Sequence, residues 1–297
     1  MCGSGESKPR LPQRAFIPLS MTKRLSRRSK RVTEHPARAV TVLALFAHPD
    51  DAEFLCAGTL ALLADQGAAI SIVTMTAGDC GSTSLPPAKI SQVRRREAQR
   101  AAAMIGARYT ALGEKDLSIF YDRPTVERVM ELMRSVNPAL VFTHSPVDYM
   151  VDHETTSRLA QTACFGAMAR NYRTGLRPAA KPLAGVPHLY YAEPFGGRDI
   201  LGNTIQASLF VNIIASLKLK EEMLACHESQ QAWLHSQQGI ADNAAIMRKM
   251  TQRAGDLSGF GSAEGFRQHL GQGFPQTNLL EQLLGNQVRC ITGRPDR

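Results

Sequence analysis

The segment Ala47-His48-Pro49-Asp50-Asp51-Ala52-Glu53 sets an imidazole beside paired carboxylates. His48 and Asp51 are three residues apart, so a tight turn into a helix can aim both at one metal ion while Asp50 points elsewhere. A second cluster, Asp148-Tyr149-Met150-Val151-Asp152-His153, adds further carboxylates and another imidazole. His48, Asp51 and His153 would then make three ligands and leave a fourth zinc position open for water, the coordination of a catalytic site. Each cluster also has a structural reading. Asp50 can cap a helix, with Glu53 reaching back to complete a capping box, and Asp152 can be an N-cap with His153 on the surface of the first turn. The two clusters occurring together favour the metal.

The elements around these residues decide whether they can meet. Ala39 to Phe46 is a short apolar run rich in β-branched residues, the pattern of a strand buried in a parallel sheet. Helical character over 52 to 66 ends at Gly67, and a second strand-like run spans Ala69 to Met75, completing a β-α-β unit. Amphipathic helices are predicted over 89 to 105 and 125 to 135, a buried strand over Ala139 to Thr143, and a helix over about 153 to 170. The alternation implies an α/β fold, a Rossmann-like parallel sheet with helices on both faces. Both clusters follow strands, so they fall at the carboxyl edge of that sheet, where open α/β sheets bind ligands. Beyond them, residues 171 to 187 read as a loop, Val186 to Ala192 as a late strand, residues 212 to 238 as one long helix containing Trp233, and the last 45 residues as helical but Gly-rich.

The formal charge of +9 suggests an acidic partner, but its distribution argues otherwise. Residues 1 to 38 hold ten of the 35 Lys+Arg and two of the 26 Asp+Glu, leaving 25 basic and 24 acidic residues in the remainder. That basic leader has too few apolar positions to bury a face and is expected to be disordered, with one domain over 39 to 297. It lacks the apolar stretch of a secretory signal, and no run approaches the ~18 apolar residues of a membrane span. The six cysteines are scattered without a Cys-x-x-Cys pair, so neither a disulfide framework nor a thiolate zinc knuckle is indicated. A cytoplasmic protein with reduced thiols is expected.

The Ala-His-Pro-Asp-Asp run and the later Asp-His resemble the signature of the PIG-L/LmbE-like N-acetylglucosaminyl deacetylases. The likeness continues through Gly58-Thr59-Leu60-Ala61, Thr76-Ala77-Gly78-Asp79, Arg94-x-x-Glu97 and Leu112-Gly113, and returns at His227-Glu228-Ser229-Gln230. The resemblance implies the LmbE-like deacetylase fold and a single zinc ion held by His48, Asp51 and His153. It also implies Asp50 as general base on water, with Asp152 orienting a ligand or stabilising a nearby cation. By the same likeness Arg94 and Asp116 match positions that contact substrate. The expected activity is removal of an N-acyl group, chiefly acetyl, from an amino-sugar-type small molecule. A zinc amidase acting on a thiol-sugar or acylated natural-product conjugate is the nearest alternative.

One position departs from the family pattern. Many relatives carry a histidine three residues before the second zinc histidine, where this chain has Met150, and a thioether cannot donate a hydrogen bond to an oxyanion. His227 is the first candidate for that role, followed by His144 and His188. Cys80, in the loop after the second strand, can line the same crevice but reads more simply as a small buried residue. A reading of another class, a non-catalytic metal- or nucleic-acid-binding module anchored by its leader, would give salt-sensitive DNA binding lost with residues 1 to 38. No specific nucleic-acid partner is expected. The sequence leaves the oligomeric state open, a homo-oligomer included.

Overall fold

Val42 through Ala47 are wholly buried, and their side chains alternate between two cores. Val42, Ala44 and Phe46 face one side of the sheet, while Leu43, Leu45 and Ala47 face the other. A strand flanked by parallel neighbours and covered on both faces has no polar side, which explains its unbroken apolar sequence.

The computed structural model describes residues 39–291, so the basic leader at residues 1 to 38 lies outside the described residues. The chain runs β1 Thr41–Phe46, α1 Asp51–Leu55, α2 Ala57–Asp65, β2 Ala69–Thr76, α3 Pro87–Ala103, β3 Arg108–Glu114, α4 Arg123–Val136, β4 Leu140–Thr143, α5 Val151–Gly166 and β5 His188–Ala192. It continues with β6 Leu209–Asn212, α6 Leu217–Ala225, α7 Glu228–Gln238, α8 Asn243–Ser258, β7 Ala263–Gln268, α9 Leu279–Leu284 and β8 Val288–Cys290. The eight strands form one sheet in the order β3-β2-β1-β4-β5-β7-β6-β8. Strands β1, β2, β4 and β5 are parallel, as expected, and β3, which the sequence reading left out, joins them in parallel beside β2. On one face, residues of α1, α2, α3, α6 and α9 pack together; on the other, residues of α4 and α5 do so.

The C-terminal third differs from the sequence reading. Strands β7, β6 and β8 extend the sheet in antiparallel fashion, so it is mixed rather than wholly parallel. The span read as one helix over 212 to 238 begins at the end of β6 and breaks at His227, whose backbone (φ −89°, ψ 57°) is not helical. Glu97 on α3 fixes that break: its carboxylate accepts the Ser229 N–H at 2.9 Å and the Ser229 hydroxyl at 2.5 Å, capping α7 from outside the helix.

A buried network ties this C-terminal part to the first β-α-β unit. Glu264 on β7 accepts the N–H groups of Gly58 (2.9 Å) and Thr59 (2.7 Å) at the start of α2, together with the Thr59 hydroxyl and the Lys220 ammonium at 2.6 Å. Gly58 is needed there because a Cβ would come within 2.8 Å of Ile213.

Candidate active site

Strands β1 and β4 are neighbours, and at that pair the connections change direction, with β2 and β3 to one side and β5 to the other. Such a switch point opens a crevice at the carboxyl ends of the strands. His48 to Asp51 leave β1 into it, and His144 to His153 leave β4 into it.

The turn after β1 sets Asp50 in the left-handed region (φ 97°), and Asp51 then opens α1. The Asp51 Oδ2 accepts the His48 N–H at 2.7 Å. Each imidazole has one nitrogen held by a carboxylate and the other turned toward Asp51. His48 Nε2 is 3.2 Å from Asp152 Oδ2, which also accepts the Leu117 N–H at 2.7 Å, while His48 Nδ1 is 3.4 Å from Asp51 Oδ2. His153 Nδ1 is 3.0 Å from Asp148 Oδ1, and its Nε2 is 3.6 Å from Asp51 Oδ1. Donor atoms of His48, Asp51 and His153 all lie within 4.8 Å of one another. Two imidazole nitrogens and a carboxylate, each imidazole steadied from behind by a second carboxylate, form a donor set that fits a divalent cation such as zinc.

The capping alternatives do not hold. Asp50 makes no side-chain cap. Glu53 turns away toward His227, and Met150 rather than Asp152 is the N-cap of α5.

The electrostatics favour a cation. Burial would lower the His48 pKa, but Asp152 and Asp51 outweigh it and carry it to about 10. Burial would raise Asp51, yet His153 and His144 hold it well below the usual carboxylate range. Asp50 is pushed by burial up to about 6, with the Arg94 guanidinium pulling the other way. Arg94 Nη2 is 3.5 Å from Asp50 Oδ1 and donates to the Pro49 carbonyl at 3.0 Å. Although Arg95 and Arg96 beside it are exposed, Arg94 is 3% exposed, so it is not a solvated helix residue. Gly78 and Gly81 make room for it, since a Cβ at either would fall within 2.5 Å of its Nη1.

The remaining candidates separate. Asp116 lines the cavity, and its Oδ2 accepts the Cys80 N–H at 2.8 Å. Cys80 is exposed on the same wall rather than buried. His227, the sequence candidate at the oxyanion, is not on the cavity wall. It is 2% exposed, packed 3.5 Å from Glu53, and neither of its ring nitrogens is hydrogen-bonded among the described residues. His144 lies beneath the site, stacked on His153 (3.8 Å, 10°), with Nε2 3.0 Å from the Ala47 N–H and 3.1 Å from Asp51 Oδ2. Burial and His153 lower its pKa to about 4, so it stays neutral at neutral pH. His188 meets Thr277 at the other end of β5.

The wall residues that sequence reasoning missed include three aromatic ones. Tyr149 stands edge-on to His153 (5.3 Å, 83°), Phe195 follows β5, and Trp233 projects from α7. Tyr149 directly precedes Met150 and was the one within reach of a motif argument. The other two come from distant segments. Together with the residues above they enclose a cavity of about 650 Å³.

The family model described as PIG-L, GlcNAc-PI de-N-acetylase, matches residues 43–164. The chain is 31% identical over 175 residues to a 4-oxalmesaconate hydratase of Pseudomonas putida KT2440, a match covering 56% of this chain and 65% of that relative. Among solved structures, it is similar to GalB, the 4-carboxy-2-hydroxymuconate hydratase of P. putida KT2440 (TM-score 0.64, 25% identity, 80% of this chain and 100% of that one). It is also similar to the N,N'-diacetylchitobiose deacetylase of Pyrococcus horikoshii (TM-score 0.66, 25% identity, 82% and 89%). The relatives thus include both deacetylases and hydratases built on this sheet; over residues 43–164 the chain matches the PIG-L family model, and it spans less than two thirds of the length of the curated relatives it matches.

Proposed function

We propose that this protein is a zinc-dependent hydrolase that cleaves an N-acyl amide, chiefly N-acetyl, on an uncharged amino-sugar-type substrate. What carries the reading is a triad of metal donors beside a buried carboxylate, Asp50, in a wall poor in positive charge. Asp50, Asp51, Asp116 and Asp148 line the cavity, and Arg94 is the one Lys or Arg among its described lining residues.

His48, Asp51 and His153 would hold the metal. A zinc ion held there would supply a Lewis acid for the amide carbonyl and would lower the pKa of water from about 15.7 toward 7. Asp50, carried by burial to about 6, is suited to take a proton from water and return it to the departing amine near neutral pH. Arg94 keeps that carboxylate turned into the cavity. The Tyr149 hydroxyl is our candidate for the donor that Met150 cannot supply. Partial burial in the cavity, with Asp51, Asp148 and Asp50 around it, raises its pKa and keeps the phenol protonated.

The second reading is hydration of a double bond, favoured by the hydratase relative at 31% identity. The same base can serve either reaction. A carboxylate substrate, however, would be favoured by free cationic side chains, and Arg94 is already directed at Asp50 and Pro49.

The test uses zinc-loaded full-length protein with N-acetylglucosamine and N,N'-diacetylchitobiose, followed by release of acetate and primary amine. Parallel reactions with 4-oxalmesaconate follow loss of its conjugated absorbance. Amine release without hydration supports the first reading, and the converse result replaces it.

A further inference from the structure

The metal donors occupy only part of the cavity. Away from them the wall is apolar and aromatic. Phe54 and Phe195 stand with ring centroids 5.8 Å apart, and Tyr149 and Phe195 are also separated by 5.8 Å, making a continuous aromatic run from beside His153 outward. Trp233, Leu234 and Ile240, from α7 and the loop after it, line the same cavity. Phe195 and Tyr149 are 42% and 56% exposed, so these faces are uncovered by the chain's described residues. A volume of about 650 Å³ falls within the ~300–1,000 Å³ of pockets that take drug-sized ligands.

A single acetamido sugar could lay its one C–H face on part of this wall, but one ring is too small to cover the whole aromatic run. Burying aromatic faces against a flat apolar group is favourable by roughly 25 cal/mol per Å² of apolar area, with further gain from offset or edge-on ring contacts. Gln230, Gln238 and Asn243 also line the cavity, but they are outnumbered by apolar groups.

We propose that the outer half of this cavity is a subsite for an aromatic ring system that the substrate carries beyond its scissile amide. The substrate class is then an aryl-bearing N-acyl amino sugar rather than a free acetamido sugar. This inference rests on the hydrolase reading for the inner half of the cavity, but not on turnover for its test.

Trp233 is the only tryptophan in the chain, so its fluorescence reports occupancy of the wall whether or not chemistry follows. Full-length zinc-loaded protein is titrated with four probes: N-acetylglucosamine, N,N'-diacetylchitobiose, a p-nitrophenyl glycoside of N-acetylglucosamine, and N-phenylacetylglucosamine. Calorimetry supplies Kd independently of inner-filter effects. At least one aryl probe is expected to bind about tenfold or more tightly than N-acetylglucosamine, with a change in Trp233 emission. The glycoside and the N-phenylacetyl compound distinguish a ring on the sugar side from one on the acyl side. Phe195→Ala, at a half-exposed position, should reduce that preference to about threefold or less while leaving the Kd of N-acetylglucosamine unchanged. Equal affinities, no binding by any probe, or tighter binding of the disaccharide than of both aryl probes would overturn the subsite. Aryl preference without amine release from any probe would instead leave the subsite standing and refute the hydrolase reading.

Discussion

Replacing Asp152 by asparagine should weaken metal binding while leaving the fold intact. The Asp152 Oδ2 serves both His48 Nε2 at 3.2 Å and the Leu117 N–H at 2.7 Å. An asparagine can put its carbonyl oxygen where that atom sits, so both contacts survive and only the negative charge is lost. Loss of a carboxylate behind a metal histidine typically costs 10- to 100-fold in affinity, about 1.4 to 2.8 kcal/mol. The pH dependence sharpens the test. His48 must release a proton to bind a metal, and the carboxylates of Asp152 and Asp51 hold that proton to well above neutrality. Zinc affinity should therefore rise with pH from 7 to 9, by up to about tenfold per unit from this proton alone. Asp152→Asn loosens the proton as well as the metal, so its affinity loss should be larger at pH 9 than at pH 7 and reach its full size only above about pH 10. The assay is competition against a chromogenic chelator at both pH values, with Asp152→Ala as the variant that also frees the Leu117 N–H. Zinc affinities identical to the parent's at both pH values would refute the pairing of Asp152 with a liganding His48. An equal loss at both pH values would refute the proton argument.

Asp50→Asn should retain stoichiometric zinc while kcat falls about 10²- to 10⁴-fold, as on loss of a general base; stoichiometric loss of metal by elemental analysis would make Asp50 a ligand. Tyr149→Phe should lower kcat about 10²- to 10³-fold with little change in KM, the effect of removing one oxyanion donor, and parent-like turnover would end that assignment. His227→Ala leaves Glu53 buried without its neighbour, so thermal unfolding should show a loss of several kcal/mol, while kcat per folded molecule stays within about threefold. A selective collapse of kcat with unchanged stability would return His227 to the chemistry. Glu264→Gln weakens the buried ion pair with Lys220 and should cost about 3 to 5 kcal/mol in denaturant unfolding; a neutral result would mean that the network does not hold β7 to α2.

The candidate metal cluster was legible because half of it is local and the strands bring the other half to it. His48 and Asp51 share one turn, His153 follows β4, the neighbour of β1 in the sheet, and two parallel strands buried in one sheet bring their carboxyl ends together by topology alone. Arg94 and Glu97 were legible as a motif but not as contacts. Arg94 resembles its exposed neighbours Arg95 and Arg96 until tertiary packing turns it under Gly78 toward Asp50. Likewise nothing in the sequence around His227 announces a helix break, because the carboxylate that caps α7 comes from α3.

The sequence by itself determined most of the parallel half of the sheet and the placing of the candidate metal-binding residues at its carboxyl edge. Apolar runs of strand length and β-α-β alternation depend on neighbours along the chain, so a linear reading captures them. Tertiary structure alone decided the antiparallel strands β6 to β8, the exclusion of His227 from the cavity and the aromatic wall. Strand β7, with Glu264 and Gly265 in its middle, does not read as a strand. It becomes one through pairing with β5 and β6 and through the buried charge of Lys220. Phe54, Phe195 and Trp233 are far apart in sequence, and their common surface exists only after the sheet and its helices have closed around the site, because side-chain proximity across elements is a property of packing and not of spacing.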